Sequence, residues 1–130
     1  MDDPCYVPVS VGELVDKYTI LLIKIEHVQD PSHRAMLDKE LSYLRPLVDK
    51  WRAHIDPESM VELSVVNQRL WDVEDQLRRK ESLQAFDGAF IQLARSVYLL
   101  NDRRAEIKRQ VNAQSKSCLT EVKSYEWYPK

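Results

Sequence analysis

The sequence predicts an all-α fold, a four-helix antiparallel bundle with its second helix kinked at Pro46 and an extended C-terminal tail packed on it. Three observations carry this. Apolar residues recur at steps of three and four in four successive segments, the spacing of one helix face and not of a strand. Polar capping residues stand at each predicted helix start. Glycine occurs only at positions 12 and 88, so turn-rich β architecture has little to build on. Residues 1–114 form the bundle and 115–130 the tail of the same domain.

The first helix starts at Ser10-Val-Gly-Glu13, a capping-box spacing in which serine hydroxyl and glutamate carboxylate each satisfy an orphan backbone donor. Leu14, Tyr18, Leu21, Ile25 and Val28 then mark one face of a helix over residues 11–28. Ile20, Leu22 and Ile23 widen that stripe beyond what one neighbour would cover, which also admits a homodimer. Asp30-Pro31 and Asp56-Pro57 pair a side-chain cap with a residue pre-set for the first turn, so both read as helix starts. The second helix would bury Met36, Leu37, Leu41, Leu44, Leu47, Val48, Trp51 and Ile55, with a kink at residues 42–45 because Pro46 removes a backbone hydrogen bond. Leu63, Leu70 and Leu77 fall seven apart on the third, a bundle-type helix. Asp87 caps the fourth, whose core face reads Phe90, Ala94, Val97, Tyr98, Asn101, Ala105 and Lys108 or Val111. In the tail, Trp127-Tyr128 is too apolar to leave in water, so the tail should lie on the bundle.

A chain of 130 residues with 44% hydrophobic and 31% charged content suits one compact domain. The net charge of −2 argues against nucleic acid and anionic membranes as partners, and two isolated glycines exclude phosphate-cradling loops and dinucleotide fingerprints. Cys5 and Cys118 lie near opposite ends without metal-ligand spacing and read as free thiols. No basic start followed by an apolar run opens the chain, and no apolar stretch is long enough to span a bilayer. The expected compartment is cytoplasmic.

The polar residues on inward faces are the unusual feature. Asn67, Glu74, Asn101 and Arg104 fall on core positions of helices three and four, where polar groups need partners or a cleft. Helix one adds a second face of Glu13, Lys17, Ile20 and Lys24 beside Asp16, and helix four a stripe of Arg95, Tyr98, Asp102 and Arg109. Together these predict a charged seam between helices one, three and four. As a site it would grip carboxylate or phosphate through Lys17, Arg95, Arg103 or Arg104, with Glu74 or Asp102 orienting or transferring a proton. The same residues would serve equally as an ion-pair network that sets helix register. Glu13-x-x-Asp16 and Asp72-x-Glu74-Asp75 resemble carboxylate pairs for Mg²⁺. Glu13, however, is already assigned to the cap and Lys17 adjoins Asp16, so neither metal nor cofactor is expected. His27, His33 and His54 sit near helix ends, and no nucleophile elbow occurs.

Four stretches carry a resemblance: residues 9–26 with Asp16-Lys-Tyr-Thr-Ile, residues 67–75 with Leu70-Trp-Asp-Val-Glu-Asp75, residues 93–109 with Ala94-Arg-Ser-Val-Tyr and Asn101-Asp-Arg-Arg, and Glu121-Val-Lys-Ser-Tyr125. In these the chain resembles a family of small bacterial helical proteins of unknown function, over nearly its whole length. Members of that family occur near, or fused to, glycosyltransferase and tetratricopeptide modules of cell-surface polysaccharide pathways. The family motifs coincide with the seam at Asp16, Lys17, Lys24, Glu74, Asp75, Arg95, Asn101, Asp102, Arg103 and Tyr125, the candidate ligand-binding residues. Tyr18 stands where the family carries a branched aliphatic residue.

The resemblance and the seam together point to a non-catalytic binding or adaptor module linked to polysaccharide synthesis. It would take a protein partner or an anionic small molecule such as a sugar or sugar nucleotide. The alternative is a small all-α enzyme, either mutase-like, with Lys17, Arg95 and Arg103 clamping anions while Glu74 polarises the substrate, or Mg²⁺-dependent and pyrophosphohydrolase-like.

Overall fold

A computed structural model describes residues 3–122; the expectations for Tyr125 and for Trp127-Tyr128 fall outside them. Four helices account for the described fold: α1 (Val11–His27), α2 (Pro31–Trp51), α3 (Pro57–Ser82) and α4 (Gly88–Ser115), with a single 3₁₀ turn at Arg52–His54 after α2. Each helix begins where a short polar side chain captures a free backbone N–H. Ser10 accepts from Glu13, Asp30 from Ser32, Asp56 from Glu58 and Asp87 from Phe90. The reciprocal half of the expected capping box is replaced, because the Glu13 carboxylate binds Lys108 Nζ at 2.6 Å. A lysine reaching over from α4 offers a full charge where the cap offers one N–H.

The helices alternate in direction. Gly12 meets Asn112, Asp16 meets Arg104 and Asn67, and Lys80 meets Asp87, so α1 runs parallel to α3 and antiparallel to α4. Val11 and Val15 of α1, Ile55, Leu63 and Val66, and Ile107 and Val111 of α4 form the apolar core, with Trp51, Met60, Leu70 and Leu100 packed around it. This core occupies one end of the molecule. From Gln68 to Glu106 no residue is fully buried. At about 1.5 Å per residue α1 is some 15 Å shorter than α3 or α4, so those two helices continue past it as a two-helix arm. Leu83, Phe86 and Ile91 are exposed towards the arm's tip.

The second helix departs from expectation. It packs chiefly on α1 and on the 3₁₀ turn, and of its apolar residues only Val48 is buried, while Met36 is 70% exposed and Leu47 44% exposed. The apolar spacing of that segment is genuine, but with the α3 and α4 faces already paired with each other and with α1 it has one neighbour to bury against. The helix runs without interruption through Pro46.

At Gly12 the backbones of α1 and α4 come into direct contact. A Cβ built there would lie 2.6 Å from the Lys108 carbonyl oxygen and 2.9 Å from Asn112 Oδ1, and the first of these is backbone that cannot swing away. Gly12→Ala is therefore expected to destabilise the protein by about 2–4 kcal/mol through forced separation of the helices. Urea unfolding against a control such as Ala113→Gly, at an exposed site, measures it. A loss under roughly 1 kcal/mol would mean that α4 can shift freely and that the contact does not fix the helix pair.

Candidate functional site

The seam divides into three layers that follow one another along α1. The first surrounds the α1 N-terminus, where four backbone donors lack intrahelical partners. Ser10 Oγ accepts from Glu13 N at 3.0 Å, Asn112 Oδ1 accepts from Gly12 N at 2.7 Å, and Ser117 Oγ accepts from Val11 N at 3.1 Å. Lys116 at the end of α4 adopts left-handed backbone, φ 54, and reverses the chain so that Ser117–Glu121 returns beside α4. Glu121 is then held by Ser10 Oγ, by Asn112 Nδ2 at 2.7 Å and by Lys108 Nζ at 3.7 Å. Burial raises the Glu121 pKa, but the bonds from Ser10, its own backbone, Lys108 and Asn112 outweigh it and hold the carboxyl below its ordinary value.

The second layer is the buried Asp16. Its residue is 0% exposed, and both of its carboxylate oxygens accept hydrogen bonds. Arg104 grips both carboxylate oxygens, through Nε at 2.9 Å and through Nη2. Asn67 Nδ2 donates to Asp16 Oδ1 and to Thr19 Oγ1, both at 2.9 Å, and Thr19 Oγ1 donates in turn to the Asp16 carbonyl at 2.8 Å. The hydrogen bond with Asp16 raises the Arg104 pKa further above its ordinary value. A bidentate pair of this kind, with Asn67 as a further donor, joins α1, α3 and α4 at one point.

The third layer is a cavity of about 430 Å³ where α1 leaves the α3–α4 pair. Ile20 and Ile23 of α1, Asn67, Leu70, Trp71, Glu74, Asp75 and Arg78 of α3, and Arg104 line it. His27, the last residue of α1, donates from Nδ1 to the Ile23 carbonyl at 2.9 Å and lies against Trp71 with ring centroids 4.6 Å apart. Among the described residues Trp71 Nε1 is the one buried side-chain polar atom without a hydrogen-bond partner. A second, smaller recess of about 230 Å³ shares Ile20 and Arg104 with the cavity and extends past Asp16, Lys17, Lys24 and Glu40 towards Glu13. The two form one groove along α1.

The candidate residues distribute unevenly over these layers. Asp16 is in the buried pair. Lys17 and Lys24 border the smaller recess, Glu74 and Asp75 the larger cavity. Asn101 is exposed and accepts from Arg104 Nη1 at 3.4 Å. Arg95 is exposed beside Tyr98, and Arg103 pairs with Glu62 and Glu106 on another side of α4. Asp102 is half-buried on α4 and lines neither cavity, so the fourth-helix stripe does not converge with Lys17. Cys5 and Cys118 are free and exposed. Sequence reasoning placed Asn67 and Arg104 inward but did not find Asn112, whose only signal was a polar residue on the core face beside Val111.

The fold is an all-α four-helix bundle with the polar seam built into its shared helix faces. The chain belongs to a family of unknown function, DUF6165, which matches residues 5–128. No curated protein and no solved structure matches it.

Two outcomes follow from the inner layers. Asp16→Ala strands the Arg104 guanidinium and is expected to cost about 3–5 kcal/mol in urea unfolding, whereas Arg95→Ala should leave the midpoint within error of the parent. Equal effects from the two would remove the case for a structural pair. Glu121, with its folded pKa below the ordinary 4.5, contributes stability above that value that is lost as pH falls through the lowered folded pKa. Parent and Glu121→Gln should therefore differ in stability at pH 7 and converge on acidification below 4.5; a difference that stays constant down to pH 2 would contradict the assignment.

Proposed function

We propose that this chain is a non-catalytic binding module whose ligand is an acidic sugar or a sugar phosphate seated in the cavity between α1, α3 and α4. The observation that carries this is Trp71: a buried indole N–H with no partner, set in the wall of a cavity of ligand size. Such a donor costs stability unless an acceptor meets it. The groups around it suit a sugar. The aromatic and the two isoleucines offer an apolar wall, Glu74 and Asp75 accept from hydroxyls, and Arg78, which has no ion pair with another described residue, takes a carboxylate or phosphate. A nucleotide sugar adds a second anionic group, for which Lys17 and Lys24 stand along the same groove.

The family resemblance to proteins found beside glycosyltransferases agrees in chemical class with such a ligand, and with work in bacterial polysaccharide assembly in the cytoplasm. A non-catalytic role is favoured because Asp16, Arg104, Asn67 and Thr19 are occupied with one another, and because Arg95 and Arg103 stand away from the cavity. The mutase-like reading needs those arginines and Lys17 to converge on one substrate. A protein partner or a second copy would find its apolar surface elsewhere, at the exposed tip of the α3–α4 arm.

The test is a ¹H–¹⁵N spectrum of the chain titrated with glucuronate, glucose 1-phosphate and UDP-glucuronic acid. The expected result is a saturable shift of the Trp71 indole N–H with at least one of the three, abolished in Arg78→Ala while the urea midpoint of that variant stays at the parent value. An unmoved Trp71 resonance at millimolar concentrations of all three would overturn the proposal.

A further inference from the structure

The smaller recess along α1 is walled mostly by charged side chains, in contrast to the Trp71 cavity with its aromatic and aliphatic wall. Its volume of about 230 Å³ lies below the roughly 300–1,000 Å³ of a self-sufficient small-molecule site, and it joins the cavity at Ile20 and Arg104. It is therefore shaped to hold one part of a ligand whose remainder lies in the cavity. Two of its carboxylates are neutralised within the protein, Asp16 by Arg104 and Glu13 by Lys108. Lys17 and Lys24 are exposed and form no ion pair with another described residue. Seven residues apart, they stand on one side of α1, about 10 Å from each other along its axis. Glu40, from α2, is the one lining carboxylate without a cation among the described residues. Arg104 stands where recess and cavity meet. Its guanidinium has five N–H donors; Nε and Nη2 each give one to Asp16, and Nη1 gives one to Asn101 at 3.4 Å. Two donors remain, on a side chain 28% exposed, and the bidentate bond to Asp16 fixes the plane in which they point.

From this we infer that the groove takes a nucleoside diphosphate joined to its sugar, with the diphosphate over Arg104 and between Lys17 and Lys24, and the ribose hydroxyls on Glu40. The inference rests on the ligand reading above for the sugar, and names what that sugar is attached to. One fixed planar fork flanked by two ammoniums on flexible stems matches an extended anion with two phosphate groups better than a compact one, since the fork meets phosphate oxygens in a set geometry and the lysines adapt as point charges. Arg104 is already ordered by Asp16, so gripping a phosphate with it loses little side-chain freedom. Glu40 decides against a bare polyphosphate. A carboxylate in the recess repels an anion placed directly on it, but it accepts hydrogen bonds from the hydroxyls of a ribose next to the phosphates, the use a carboxylate has in dinucleotide-binding folds. Asp16 is in this arrangement a positioning residue, acting on the ligand only through Arg104.

Titrations of the full chain followed in ¹H–¹⁵N spectra test it, with the Arg104 Nε–H and the Lys17 and Lys24 amides as reporters and inorganic phosphate, pyrophosphate and UDP as probes. The expected result is a saturable shift of all three reporters by pyrophosphate and by UDP, with inorganic phosphate about tenfold weaker. Lys17→Ala/Lys24→Ala, at two exposed positions, should weaken pyrophosphate and UDP by about tenfold or more, while Lys39→Ala/Lys50→Ala, on exposed positions of α2 outside the recess, should leave both unchanged. Glu40→Ala should weaken UDP several-fold without weakening pyrophosphate. Reporters unmoved by millimolar pyrophosphate and UDP, or equal losses from the two lysine pairs, would overturn the diphosphate site; UDP bound by Glu40→Ala as by the parent would overturn the nucleoside. The two proposals fail separately. Reporters shifted by UDP, with the Trp71 resonance unmoved under every sugar, remove the ligand reading alone. Glucuronate that shifts Trp71, while pyrophosphate and UDP move none of the three reporters, removes the diphosphate site alone.

Discussion

A carboxylate with no exposure to water is the constraint around which this bundle is arranged. Burying an unpaired Asp16 would cost several kcal/mol, so its position demands cationic and amide donors from neighbouring helices. Arg104 and Asn67 supply them from α4 and α3. Because each bond requires near-linear geometry, the three helices have little freedom to rotate or slide against one another while all the bonds are kept. Apolar contacts among Val15, Leu63 and Ile107 provide most of the burial but would tolerate a neighbouring register; the Asp16 cluster would not. The polar pair thus selects the arrangement that the apolar core stabilises.

The α1 N-terminus is tied down by the same logic in a different medium. A helix start presents unpaired donors and a partial positive charge, and here acceptors from α4 and from the chain after α4 meet them: Asn112, Ser117 and, through Ser10, the Glu121 carboxylate. Glycine at position 12 lets the two backbones come close enough for Asn112 to reach. Residues a hundred positions and more apart in sequence therefore close one network, and residues 117–121 are part of the fold instead of an appendage.

Helix existence, direction and starts were legible because their causes are local: a three-and-four apolar rhythm, and Ser10, Asp30, Asp56 and Asp87 each one residue ahead of it. Inward placement of Asn67 and Arg104 followed from the same periodicity. What could not be read was the choice of neighbour. α2 has as regular an apolar face as α3, yet only Val48 is buried, since burial depends on which helix faces are already paired. Glu13 had a satisfactory local partner in the capping box and took a distant one, Lys108. Arg95, Asp102 and Arg103 share the charged character of Lys17 and Glu74 but point elsewhere around α4, where a difference of one residue is a rotation of about 100°.

The cavity itself follows from a mismatch of lengths. Asp30-Pro31 starts a new helix only three residues after His27, so α1 stops while α3 and α4 run on for several more turns. Had α1 continued, its side chains would cover Trp71 and the indole would be one more core residue. Instead α1 ends at the level where Trp71, Glu74 and Arg78 face the gap, and the His27 ring closes one side of the indole. An opening bounded by a rigid, register-locked pair of helices on one side and the end of a clamped helix on the other keeps its shape in the absence of a ligand, and a preformed shape loses little entropy on binding. The Asp16 layer, whose Asn67 and Arg104 also line the cavity, holds the walls of the groove in place.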